Sequence, residues 1–167
     1  MKAPIATGLG LERLKFSFTR PPLLVGGKAM EYYDLRPAGA DVDLIADPAD
    51  VLSLIALHPT RVKDLWGDLG VCPLEFEIWA TICLLTYDDL SPGAIDRGDH
   101  LVISLEKLLL MKALATHVEK YLQDTRLIAQ RFLRTQYEAY AATTARNAAL
   151  LAGIPGLTYL ERTGPTT

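Results

Sequence analysis

Apolar positions along the first hundred residues come in short runs broken by turn signals. Beyond residue 104 they recur at helical spacing. Leu9, Leu11, Leu14 and Phe16 predict a short helix over 7–16, which Pro21-Pro22 stops. Leu23-Leu24-Val25 reads as a buried strand running into the Gly26-Gly27 turn, and 28–35 has helical character ended by Pro37 and Gly39. Residues 40–46 alternate as a strand does. Asp47 then suits an N-cap and Pro48 a first helical position, opening a helix to residue 57. A further helical turn or two is expected over 60–68. A strand is expected over 71–79, with Pro73 marking an edge or a start. Residues 80–98 read as irregular with some helix, and Ser91-Pro92-Gly93 as a turn. A short strand over 100–103 leads to Ser104, which opens helical periodicity lasting to about Gly153.

Strands interleaved with helices give an α/β class, a minimal mixed sheet flanked by helices and followed by a C-terminal helical lobe. The expected division is a core over 1–103, the lobe over 104–153 and a loose tail over 154–167, whose Pro and Gly oppose regular structure.

Charge sharpens this picture. The 167 residues carry a net charge of −3, yet the split is uneven. Residues 1–96 hold eight basic and 14 acidic side chains, and 97–146 hold eight basic and five acidic. An acidic front and a basic helical back suit a metal site facing a groove for an anionic substrate, although a solvated surface is the simpler reading. Two cysteines, Cys72 and Cys83, fit no zinc spacing and make no disulfide framework, so they read as reduced, buried thiols. No apolar leader and no stretch of about 18 apolar residues appears, so a cytoplasmic protein with no membrane segment is expected.

The candidate chemistry centres on Asp41-Val42-Asp43. Side chains two apart on a strand share a face, so these carboxylates project together and repel. A hard divalent cation, Mg²⁺ (or Mn²⁺), offsets that repulsion and keeps coordination positions open for phosphate. The Gly26-Gly27 turn lies upstream, where exposed backbone N–H groups suit a phosphate. A third carboxylate would complete a two-metal site. Glu75 and Glu77 share a face by the same alternation, with Leu74, Phe76 and Ile78 turned to the core. Glu77 is the favoured acid, and the polar outer face of a strand is the plain alternative.

Val25-Gly26-Gly27-Lys28-Ala29-Met30, then Arg36, then Ala40-Asp41-Val42-Asp43-Leu44 resembles the nucleotidyltransferase superfamily, nearest the branch of AbiEii-type and MenT-like toxins. The resemblance runs over about residues 22–130. It includes the segment Leu101 to Ala115, where that branch carries an active-site lysine, and Lys120-Tyr121-Leu122-Gln123-Asp124. His117 stands where the family often has a further basic residue. The resemblance implies that Gly26 and Gly27 contact a nucleoside triphosphate, with Lys28 and Arg36 in the nucleotide-binding set. It also implies that Asp41 and Asp43 bind the cation, that Lys112 contacts phosphate, and that Asp124 positions Lys112 or a substrate group.

From the residues themselves, Lys112 sits in an apolar helical run and needs an anionic partner. A turn near Thr116-His117 would bring Asp124 to it. Arg36 is otherwise a salt-bridge partner, His117 reads as a surface or packing histidine over a ligand, and Trp66 and Trp79 read as core residues over base-stacking platforms. Arg126, Arg131 and Arg134 form a stripe for an RNA acceptor or a solvated helix face. The expected activity is transfer of a nucleoside monophosphate to a hydroxyl on RNA or protein, with a toxin–antitoxin or phage-defence setting by analogy alone. The alternative is a non-catalytic interaction module of the same fold, for instance one half of a toxin–antitoxin pair.

Overall fold

The computed structural model describes residues 8–156, so most of the expected C-terminal tail and the first residue of the expected N-terminal helix lie outside the described residues. A 3-10 helix at Leu11–Leu14 buries Leu11 and Leu14, the inward positions that spacing suggested. Then follow β1 (Leu23–Leu24), α1 (Gly26–Tyr32), β2 (Val42–Ile45) and α2 (Pro48–Leu57). Asp47 caps α2 by accepting from the Ala49 N–H, and Pro48 occupies its first turn.

The next segment departs from expectation. Residues 60–68 form a single 3-10 turn, Pro59–Arg61, and then a hairpin of β3 (Val62–Leu65) and β4 (Asp68–Val71). The reason lies in the turn: Trp66 and Gly67 have φ of 55° and 96°, the left-handed pair of a two-residue hairpin loop. The strand expected over 71–79 is two strands. Val71 ends β4, and β5 (Phe76–Trp79) begins after a bend at which Leu74 adopts φ 54° and lies 62% exposed rather than in the core. Pro73 sits in that connection, and β5 is interior to the sheet, not an edge.

A second small hairpin, β6 (Thr81–Ile82) with β7 (Leu85–Thr86), turns at left-handed Cys83 and Leu84. It is followed by α3 (Tyr87–Leu90), which opens on a Thr86/Asp89 capping box, and by β8 (Ile95–Asp96) and β9 (Leu101–Val102). Ser104 caps α4 (Leu105–Leu114) through the Lys107 N–H.

The main sheet runs β3-β4-β5-β2-β1-β9-β8. Only β2–β5 and β1–β9 are parallel, so the fold is a mixed α/β sheet flanked by helices. Val42, Leu44, Phe76 and Ile78 on the central strands pack with Val51 and Leu54 of α2 in the core.

After the sheet come three helices: α4, α5 (Glu119–Glu138) and α6 (Tyr140–Leu151). The chain forms two compact units, one up to Ala129 and one from Gln130 onward. The boundary expected at 103/104 therefore falls inside the first unit, where Leu108, Met111 and Ile128 are buried. Among the described residues no helix is long and apolar enough to cross a membrane.

Candidate functional site

The site begins with a steric fit. Val25, extended at φ −131°, carries β1 into Gly26, which opens α1 at φ 59°. The Val25 N–H donates to the Asp43 carbonyl at 3.0 Å, which draws β1 and β2 together at this point. The Asp43 carboxylate then lies in the space a side chain at 26 would fill. A Cβ there would stand 1.9 Å from Asp43 Oδ2 and 2.6 Å from its Cγ. The Gly27 N–H favours the charged form of the Asp43 carboxylate.

The turn and Asp43 open onto a cavity of about 340 Å³. Asp41, just before β2, lines it together with Asp43. Glu77 enters from β5, whose parallel register sets it directly beside Asp43. Burial, first, and then the Glu77 and Asp41 charges push the Asp43 carboxyl above its usual value, against the Gly27 bond and Lys112. Glu77 is paired to Lys63 Nζ at 3.2 and 3.3 Å. Lys63 reaches in from β3 over the Trp79 ring, 5.5 Å from its centroid. Trp79 in turn lies flat against Gly70 of β4, where a Cβ would come within 2.5 Å of its Cε3.

The opposite wall comes from α4 and α5. Lys112 is 4% exposed and Asp124 1% exposed, and they meet at 3.1 Å across the corner at 115–118. Arg36 completes the cluster, with Nε to Oδ1 at 2.6 Å and Nη2 to Oδ2 at 2.9 Å. Burial acts to raise the Asp124 carboxyl, but its bonds to Arg36 and Lys112 outweigh that and hold it below the usual range. Burial pushes the Lys112 ammonium down against the pull of Asp124. Lys112 also lies 4.3 Å from the Tyr121 ring centroid.

Six of the nine expected site residues, Gly26, Gly27, Asp41, Asp43, Glu77 and Lys112, line one cavity. Asp124 touches it through Lys112, and Arg36 binds Asp124. Lys28 does not join them: it pairs with Glu31 at 3.3 Å on its own helix. Glu75 lies one residue before β5, is not among the residues lining the cavity, and pairs with Arg13. Sequence reading missed Lys63 and Asp68. Asp68 lines the cavity and braces the second hairpin by accepting from Thr81 Oγ1 and the Cys83 and Leu84 N–H groups. Asp68 adjoins Trp66-Gly67, and reading that pair as a hairpin turn would have put both missed residues on strands.

Among the described residues no three His, Cys, Asp or Glu side chains are gathered to hold one metal ion. The pair Asp41 and Asp43 offers hard oxygens on one cavity, and a magnesium ion ordinarily takes one or two protein carboxylates and completes its shell with water and substrate phosphate. The donor set fits that mode of binding, with Glu77 held apart by Lys63. Arg126, Arg131 and Arg134 are exposed along α5. No family model, no curated protein and no solved structure matches the chain.

Proposed function

We propose that the chain is a magnesium-dependent nucleotidyltransferase that moves a nucleoside monophosphate from a triphosphate to a hydroxyl on RNA or protein. The observation that carries the reading is the seating of Asp43 in the void left by Gly26, on a cavity it shares with Asp41 and Lys112. That packing fixes one carboxylate of the pair and aims it at a cleft that Lys63, Lys112 and Lys120 also line. In this reading Asp41 and Asp43 hold the cation, and Lys112, with Lys120 at the rim, meets the phosphates. Bound there, the cation would neutralise phosphate charge and orient the reacting phosphorus for in-line attack. Lys112 then stabilises charge on the transferring group from a site where burial strengthens its field. Asp124 and Arg36 keep Lys112 in place, so Arg36 serves as a support and not as a nucleotide contact.

The test is label transfer from each radiolabelled nucleoside triphosphate to total RNA or to lysate protein, with Mg²⁺, in wild type and in Asp41→Ala and Asp43→Ala. Transfer that vanishes in both variants is expected. A second reading, a non-catalytic interaction module, draws on the internal pairing of Glu77 with Lys63 and of Lys112 with Asp124, which engages both lysines without a ligand. Absence of both transfer and Mg²⁺-dependent nucleotide binding would select it.

A further inference from the structure

Trp66 breaks two local rules at once. Its ring is 84% exposed, a large apolar surface left in water, and its backbone is left-handed at φ 55°. A two-residue hairpin loop of this kind favours Asn or Gly at that position. Neither cost is offset by packing in the fold, and such violations concentrate where a side chain serves a ligand.

The surroundings name the ligand. The Trp66 and His117 rings approach to 5.8 Å between centroids at 47°. Trp66 follows Leu65 on the β3–β4 hairpin, and His117 sits between Ala115 and Lys120 on the α4–α5 corner. Leu65, Ala115 and Lys120 all line the cavity. The ring pair is not itself part of the lining, but it joins the hairpin and the corner that carry those lining residues. The same cavity is lined by three lysines and the glycine turn, which suit phosphates, and by the carboxylates that would hold the cation. A single ligand that satisfies both features carries phosphate groups at one end and a flat aromatic ring at the other.

We infer that Trp66, backed by His117, is the base-stacking platform for the nucleotide whose phosphates enter the cavity. This rests on the transferase reading for the phosphate end. The stacking face recognises any base by its π surface, so it adds affinity without choosing among the four bases.

The experiment titrates the full chain with Mg²⁺ and either a nucleoside triphosphate or inorganic tripolyphosphate, following tryptophan emission and heat. The chain has two tryptophans and Trp79 also lines the cavity, so the quench assigned to Trp66 is the part that Trp66→Phe removes. The nucleotide should quench emission saturably in wild type, while tripolyphosphate binds without that quench. Trp66→Ala should weaken nucleotide binding about five- to hundredfold and leave tripolyphosphate binding unchanged. Trp66→Phe should restore most of the affinity, and circular dichroism of both variants should match wild type. Nucleotide affinity unchanged in Trp66→Ala, or equal weakening for both ligands, overturns the platform and leaves the transferase reading standing. A quench by an RNA oligonucleotide but not by mononucleotide overturns the assignment to the bound nucleotide. Failure of wild type to bind either phosphate ligand removes the platform and the transferase reading together.

Discussion

Gly26 and Asp43 share one volume: a carboxylate oxygen stands 1.9 Å from where a side chain at 26 would begin. The adjacent Gly27 has no such conflict, since a Cβ there meets its nearest atoms, in Ala38 and Arg36, at 3.9 Å. The two glycines of the turn are therefore not equivalent. Gly26→Ala should cost about 2–4 kcal/mol from left-handed strain plus displacement of Asp43. Gly27→Ala, in a helical position, should be neutral or stabilising by up to about 1 kcal/mol. Urea denaturation of the two variants measures this directly, and equal losses would refute the steric account.

Asp43 is a stability cost at neutral pH. Its folded pKa is raised, chiefly by burial and then by Glu77, so the fold favours the protonated carboxyl. Its contribution is fully present below the unfolded value and is lost as pH rises through the folded one. Asp43→Asn keeps an acceptor for the Gly27 N–H while removing the charge. In metal-free buffer it should melt higher than wild type at about pH 7, with the gap closing by about pH 4. The same variant should lose label transfer. A lower melting temperature at neutral pH would show that the carboxylate is not strained by its surroundings.

Asp124 has the opposite sign. Its folded pKa is depressed because Arg36 and Lys112 outweigh burial, so its stabilisation is present above the unfolded value and lost as pH falls through the folded one. Asp124→Ala leaves two cations facing each other without their shared anion, at an expected cost of about 3–5 kcal/mol. Asp124→Asn should show a flatter acid limb in stability against pH. Thermal melts across the acid range separate the two aspartates by slope alone.

Lys63 neutralises Glu77 on the cavity. With Lys63→Met, Glu77 loses the ammonium it meets at 3.2 Å and stands beside Asp43 unneutralised. Mn²⁺ should then bind several-fold tighter by calorimetry, because a third carboxylate becomes free to ligate. Unchanged affinity would place Glu77 outside the reach of the ion.

Much of this was legible in the chain. The alternation around Asp43, the Asp47-Pro48 helix start and the Ser104 cap are local signals that the structure follows, although the strand is shorter than expected and leaves Asp41 one residue before it. The meeting of Lys112 and Asp124 followed from an apolar run around a lysine and a turn after it. The two hairpins were not legible, because Trp66-Gly67 and Cys83-Leu84 stand where Asn-Gly is the usual signature. Lys63 facing Glu77 was hidden for a different reason. It depends on sheet order, with β4 between β3 and β5, and no spacing along the chain encodes that order.

The parallel pairing of β2 with β5 also governs when the cleft can come into being. Parallel neighbours need a long crossover, here α2 and the whole β3–β4 hairpin, before Glu77 can reach Asp43. Lys112 and Asp124 arrive later still along the chain. The set of side chains that lines the cavity is therefore complete only after the chain through α4 and the start of α5 has been made and the sheet has closed.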